Sequence, residues 1–361
     1  MNEALENLIR PHYLTHSGYV SAGMESDKSE EKIFLNANEN PYALQGLEGF
    51  NRYPEPQPAV LRQAYAQAYS VKENAVVMTR GADEAIAILT KIFCEPHQDK
   101  ILICPPTFGM YGVNAKAAPA KITEVPLKKE RGTFALDKEN IIKTAQNQSK
   151  PVKLVYICSP NNPTGTSFSH TDIIEICQKL EGYATVILDE TYAEFSQQGS
   201  LSGKLESLPN LIILRTLSKS YALAGMRMGC LLNADEDFTA LVRTKALDAY
   251  PLPRASIKAA LHVLSPDIHA LAMQNIHKIL DERTRMEKAL AQSSEVTHIY
   301  PSDANFLLVE MPRADEFHAF TAKNNVILRN FSDKLGTENC LRISIGTPEE
   351  NNRVLELLSR F

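Results

Sequence analysis

Between residues 75 and 232, short apolar runs recur at intervals that leave room for a helix between successive runs. Those at 75–79, 100–104, 121–127, 152–158, 184–188, 211–214 and 228–232 have the length and the branched side chains of buried strands. Apolar residues three and four apart fill several of the gaps, as at 83–94 and 170–181. Strand alternating with helix predicts an α/β fold, a mainly parallel sheet covered by helices on both faces. In such sheets ligands bind beyond the carboxyl ends of the strands, so those ends are where chemistry is sought.

The stretch 211–229, LIILRTLSKSYALAGMRMG, carries most of it. An apolar run ends in Thr216, Leu217 and Ser218, then Lys219, and Arg227 follows eight residues on. A lysine at a strand end, partly desolvated and near cationic charge, loses its proton readily and suits bonding to a carbonyl. The hydroxyls and the arginine suit a phosphate. Taken alone, the same lysine reads equally well as a surface residue.

The other strand ends have the same double reading. After Val77 comes TRGADE, where a glycine and a helix start at Ala82 and Asp83 make a phosphate cradle or an ordinary acidic helix start. After Ile103, Pro105 and Pro106 hold Phe108 on a rigid loop, a stacking surface or a packing aromatic. After Ile157, SPNNPTG presents Asn162 between prolines. After Leu188 stand Asp189 and, three residues on, Tyr192; a buried strand-end carboxylate is costly unless paired, although Asp189 also reads as a helix cap.

Outside this region, residues 1–30 read as a polar N-terminal arm that orders against something else, with Tyr19 its most notable side chain. A structured loop over 33–44 and a Pro-rich stretch presenting Tyr53 precede an amphipathic helix at 59–70. Helical patterns over 236–247 and 254–291 lead to strands at 304–310, 325–329 and 340–345 and a helix at 348–360 that opens on a capping box at Thr347. The expected organisation is a large domain over 31–245 and a smaller α+β C-terminal domain over 246–361. Arg329 and Arg342 lie in the last strands, and an arginine inside an apolar strand must find an anion or a carboxylate partner.

Composition excludes several classes. The 361 residues are 44% hydrophobic and 22% charged with a net charge of −5, which gives no reason to expect nucleic acid or an anionic membrane. No run approaches the roughly 18 apolar residues of a membrane helix, and the acidic start MNEALENLIR is unlike a signal peptide. Six scattered cysteines without a CxxC pair read as reduced core residues of a cytoplasmic protein. No metal-ligand spacing, GxGxxG fingerprint or GxxxxGK[ST] loop occurs, so no metal is expected.

The stretches LNANENP, NRYPEPQP, RGADE, CPPTFGMY, SPNNPTG, LDETY, RTLSKSYALAGMRMG and LRISIGT, in this order along the whole chain, resemble the fold-type I aminotransferases that use pyridoxal 5'-phosphate, and in particular the histidinol-phosphate aminotransferase family. The resemblance implies that Lys219 bonds the cofactor aldehyde and Asp189 partners the pyridine nitrogen. It further implies that Asn162 and Tyr192 donate to the ring oxygen and that Phe108 stacks on the ring. Ala82, Asp83, Thr216, Ser218 and Arg227 hold the cofactor phosphate. Tyr53 reaches the site from the neighbouring subunit of a homodimer. Tyr19, Asn38, Arg329 and Arg342 match substrate positions, the latter two and Tyr19 facing its phosphate. The implied reaction is ping-pong amino transfer between histidinol phosphate and 2-oxoglutarate, giving imidazole acetol phosphate and glutamate, in histidine biosynthesis. Aromatic aminotransferases and a threonine-phosphate decarboxylase share much of the pattern, as would a non-catalytic cofactor-binding regulator. One departure is Asp248-Ala249 before Tyr250-Pro251-Leu252, where relatives usually have Ala-Pro.

Overall fold

The computed structural model of the chain describes residues 1–18, 33–147, 149 and 151–361. All seven apolar runs enter one sheet: β1 (Val76–Thr79), β2 (Lys100–Ile103), β3 (Lys121–Glu124), β6 (Val152–Cys158), β7 (Thr185–Asp189), β8 (Leu211–Thr216) and β9 (Gly229–Leu232). Between β3 and β6 a small hairpin intervenes, β4 (Lys128–Glu130) and β5 (Thr133–Ala135). The order across the large sheet is β1-β9-β8-β7-β6-β2-β3. Only β9 runs antiparallel to its neighbours, pairing with β1 and β8. The carboxyl ends of the other six strands therefore open on one edge of the sheet.

Strand periodicity explains the layers. Successive side chains of β8 point to opposite faces, so Leu211 and Ile213 join one apolar cluster while Ile212 and Leu214 join the other. The first cluster is closed by helices Ala59–Tyr69, Lys138–Ala145, His170–Leu180 and Arg254–Val263; the second by Gly81–Phe93, Met110–Ala117 and Glu236–Leu241. The fold is thus α/β with helices on both faces, as expected from the rhythm of the sequence.

Three expectations need correction. Residues 1–18, expected to order against something else, pack on the rest of their own chain. Leu5, in the short helix Glu3–Glu6, and Leu8 and Ile9 just beyond it are buried in the same apolar cluster as Phe93, and Arg10 pairs with Glu95 at 2.8 Å. The helical run 254–291 breaks at Ser265, with Pro266 opening the second helix, Pro266–Leu290. The expected strand 325–329 is mostly loop. Ile327 is 78% exposed, and Val326 N–H returns to the Thr321 carbonyl at the end of the preceding helix, so only Arg329–Asn330 pairs as β12.

Beyond residue 290 a four-stranded antiparallel sheet forms in the order β10 (His298–Tyr300), β11 (Phe306–Glu310), β13 (Cys340–Ser344), β12. It packs on Met286, Phe317 and Leu358 from three helices. The capping box is present at Thr347, whose hydroxyl accepts from Glu350 N–H while Glu350 accepts from Thr347 N–H. All six cysteines are buried and unpaired. Among the described residues no helix is long and apolar enough to cross a membrane, and no cluster of three His, Cys, Asp or Glu side chains forms.

Candidate active site

A cavity of about 750 Å³ lies where the carboxyl ends of β1, β2, β6, β7 and β8 face β12 and β13. Each strand end contributes the residue expected of it. β1 brings Ala82 and Asp83, β2 Phe108, β6 Asn162, β7 Asp189 and Tyr192. β8 brings Thr216, Ser218 and Lys219, with Arg227 just beyond. Arg329 and Arg342 close the cavity from the small sheet.

Asp189 ends β7 with only 2% of its surface exposed. One carboxylate oxygen accepts from the Thr191 hydroxyl at 2.6 Å and the Thr191 N–H at 3.0 Å; the other accepts from the Tyr111 hydroxyl at 2.7 Å. Burial pushes its pKa up, opposed by these donors. No cation lies within ion-pair distance of it among the described residues. A buried carboxylate that is fixed in orientation and lacks a cation matches a protonated ring nitrogen in the cavity.

Lys219 opens onto the same cavity with its ammonium 6.0 Å from the Tyr192 ring centre, and it makes no ion pair among the described residues. Desolvation lowers its pKa, helped by the charges of Arg342 and Arg227. An amine that sheds its proton readily is what bonding to an aldehyde and moving a proton both need. Tyr192 is buried edge-on to Phe306 at 5.3 Å, and burial raises the pKa of its phenol. Phe108 stands edge-on to Tyr111 at 5.6 Å.

The residues expected to hold a phosphate lie together on the cavity wall. Helix Gly81–Phe93 points its free N–H groups at the cavity through Ala82 and Asp83. Arg227 donates to Asp83 at 2.9 Å, and its guanidinium lies 3.0 Å from where a Cβ on residue 81 would stand, so glycine there admits the arginine. Thr216 donates to the Met228 carbonyl and accepts from the Ser218 N–H, fixing the turn that presents the Ser218 hydroxyl. Helix dipole, hydroxyl and guanidinium together form a donor set for a phosphate.

Arg329 and Arg342 stand directly opposite each other on β12 and β13. Arg342 donates to the Asn162 side-chain oxygen and lies over the rings of Phe306 and Phe331, 5.2 and 5.5 Å from their centres. Its Nε is buried without a partner among the described residues, and burial together with Arg329 lowers its pKa. Arg329 itself is exposed, so the desolvation argument made for it from sequence does not hold; its place in the site comes from facing Arg342. Like charges directly opposite destabilise a sheet unless an anion joins them.

Tyr53 and Asn38 are not brought to the cavity of their own chain. Tyr53 is 54% exposed and stacks on Tyr250 at 4.1 Å, and Asn38 is exposed at φ +54°. Tyr19 lies outside the described residues. Sequence reasoning missed Tyr111 and Thr191, the two side chains that hold Asp189; only their places in CPPTFGMY and LDETY marked them, with no chemistry attached.

Comparison with known proteins gives the family. Residues 28–358 match the family aminotransferase class I and II, and the chain belongs to it. Its relatives narrow the class. Histidinol-phosphate aminotransferase 2 of Idiomarina loihiensis is 39% identical over 99% of this chain and 99% of its own. Histidinol-phosphate aminotransferase of Serratia proteamaculans is 38% identical over 99% of this chain and 96% of its own. Among solved structures, histidinol-phosphate aminotransferase from Clostridium acetobutylicum superposes with a TM-score of 0.76 at 22% identity, covering 87% of this chain and 92% of that one. The Sinorhizobium meliloti enzyme of that name, solved in complex with pyridoxal-5'-phosphate, gives 0.75 at 20%, covering 86% and 83%. These superpositions establish the shared fold.

Proposed function

We propose that this chain carries out amino transfer between L-histidinol phosphate and 2-oxoglutarate, with pyridoxal 5'-phosphate held at Lys219. The observation that carries the substrate class is the Arg329–Arg342 pair facing each other on the cavity wall, two guanidiniums suited to a dianionic phosphate. The names of relatives at 38–39% identity over nearly the whole chain support the same reading.

Pyridoxal phosphate, when bound, supplies an aldehyde that bonds an amine and a protonated ring that accepts electron density from the neighbouring carbon. The Asp189 carboxylate, held by Tyr111 and Thr191, keeps the proton on the ring nitrogen. Asn162 has its oxygen engaged by Arg342, which leaves its amide N–H₂ to donate, beside the Tyr192 hydroxyl, to the ring oxygen. Ala82, Asp83, Ser218 and Arg227 anchor the cofactor phosphate, and Phe108 covers the ring. Lys219 Nζ, its pKa lowered, would take the proton from the substrate Cα and deliver it to the cofactor carbon that bonds the amine, a role that typically contributes about 10²–10⁴-fold.

The working unit in this reading is a cytoplasmic homodimer. Residues 33–47 carry exposed Ile33, Leu35, Tyr42 and Leu44, a concentration of apolar surface that a second copy would cover. Tyr53 sits on this same part of the chain, away from its own cavity, in keeping with service to the neighbouring site. The test is the purified protein with pyridoxal phosphate, 2-oxoglutarate and a panel of amines. Histidinol phosphate should react at least roughly tenfold faster than phenylalanine, the discrimination one buried charged contact supplies. Equal rates, or carbon dioxide release from threonine phosphate, would overturn the assignment.

A further inference from the structure

We propose that Tyr111 is a positioning residue that sets both Asp189 and Phe108, so that the partner of the ring nitrogen and the surface covering the ring are fixed by one side chain. The inference rests on the cofactor reading above and goes beyond it to a residue outside the expected contacts.

Tyr111 lies in the first turn of helix Met110–Ala117, three residues past Phe108, and is fully buried. Its hydroxyl donates to Asp189 at 2.7 Å. Its ring edge meets Phe108 at 5.6 Å with planes 86° apart, and its face stacks on Tyr156 at 4.6 Å. A ring held on its face by one aromatic and at its edge by another has little freedom to swing its hydroxyl. Asp189 thus has one oxygen fixed locally by Thr191 and the other fixed by a different strand end. A carboxylate held at both oxygens cannot rotate to find other donors, and each hydroxyl donor favours its ionised form. The titratable and charged groups facing it are Tyr111, Tyr156 and Cys158 from the wall and Asp83, Lys219 and Tyr192 from the cavity. Of these only Tyr111 donates to it.

The test is the dissociation constant of pyridoxal phosphate, measured by equilibrium dialysis of the full-length holoenzyme between about pH 6 and 8.5. Wild type, Tyr111→Phe and Tyr156→Phe are compared. Tyr111→Phe should bind about tenfold more weakly, with a deficit that widens as pH falls, because the carboxylate without its donor takes up a proton at higher pH. Tyr156→Phe removes an equally buried hydroxyl, whose partners are Thr90 and the Ile86 carbonyl, and should keep the wild-type pH dependence. A Tyr111→Phe deficit that is equal at every pH, or one matched by Tyr156→Phe, overturns the proposal. Tyr111→Met takes its place if Tyr111→Phe does not fold, with the same two outcomes. Failure of the wild type itself to bind the cofactor would instead sink the functional assignment.

Discussion

At the residue scale, the site concentrates groups that are unfavourable without a ligand, and each gives a measurable consequence. Asp189 has its pKa raised by burial. A raised acid favours the fold while protonated. Its contribution is full below the unfolded value of about 3.9 and is lost as pH rises through the folded value. Asp189→Asn should therefore raise the melting temperature of the cofactor-free protein at pH 7 and leave it nearly unchanged at pH 4, while abolishing tight cofactor binding. An equal shift at both pH values would show that charge is not the cause. Lys219→Ala should lose transamination, yet still bind pyridoxal phosphate by fluorescence titration, because Ser218, Arg227 and the helix start are untouched. Arg342→Ala should raise KM for histidinol phosphate by about 10–100-fold, the range expected for a lost charge-assisted hydrogen bond, with a far smaller effect on cofactor affinity. Equal losses of substrate and cofactor would mean Arg342 serves both.

At the element scale, the chain's legibility depends on what each segment buries. β7 and β8 are buried at every position, and the apolar runs within them, Val186 to Leu188 and Leu211 to Leu214, announce themselves. β12 is two residues long beside an exposed Ile327, and no periodicity marks it. Its arginine nevertheless belongs to the site through pairing with β13, a long-range register that composition does not encode. The buried ion cluster was equally invisible. Arg215, on β8, bonds Glu190 at 2.8 Å and Glu194 at 2.6 Å, with its guanidinium 4.5 Å from the centre of the Tyr69 ring. In sequence Arg215 is one more residue of RTLSK, and its partners stand 25 and 21 positions away. The cluster ties the strand that carries Lys219 to the segment that follows Asp189. Arg215→Ala leaves two buried carboxylates without their cation and should cost about 3–5 kcal/mol of stability in urea unfolding. The exposed Arg80–Asp248 pair at 2.7 Å is a contrast. There the residue that departs from the usual Ala-Pro finds a partner in water, where such pairs contribute about 0–1 kcal/mol.

At the scale of the whole molecule, the cavity is built from two sheets of one chain, but its expected residue Tyr53 points elsewhere. Glu39 holds Tyr53 in place through its N–H, and Arg254 donates to its carbonyl, so the exposed position is a built one. A fixed aromatic outside its own cavity, on an apolar surface, fits a two-fold assembly in which each copy completes the other's site. Complementation separates this arrangement from one in which Tyr53 swings into its own cavity. Lys219→Ala and Tyr53→Ala proteins, each inactive or impaired alone, are unfolded together and refolded as a mixture. In a mixed dimer one site then has Lys219 from one subunit and Tyr53 from the other, both intact, while the second site lacks both. With random pairing, half the dimers are mixed and one site in each works, so activity should recover to about a quarter of wild type. If Tyr53 served its own subunit's Lys219, no mixed dimer would hold an intact site, and activity would stay at the average of the two variants.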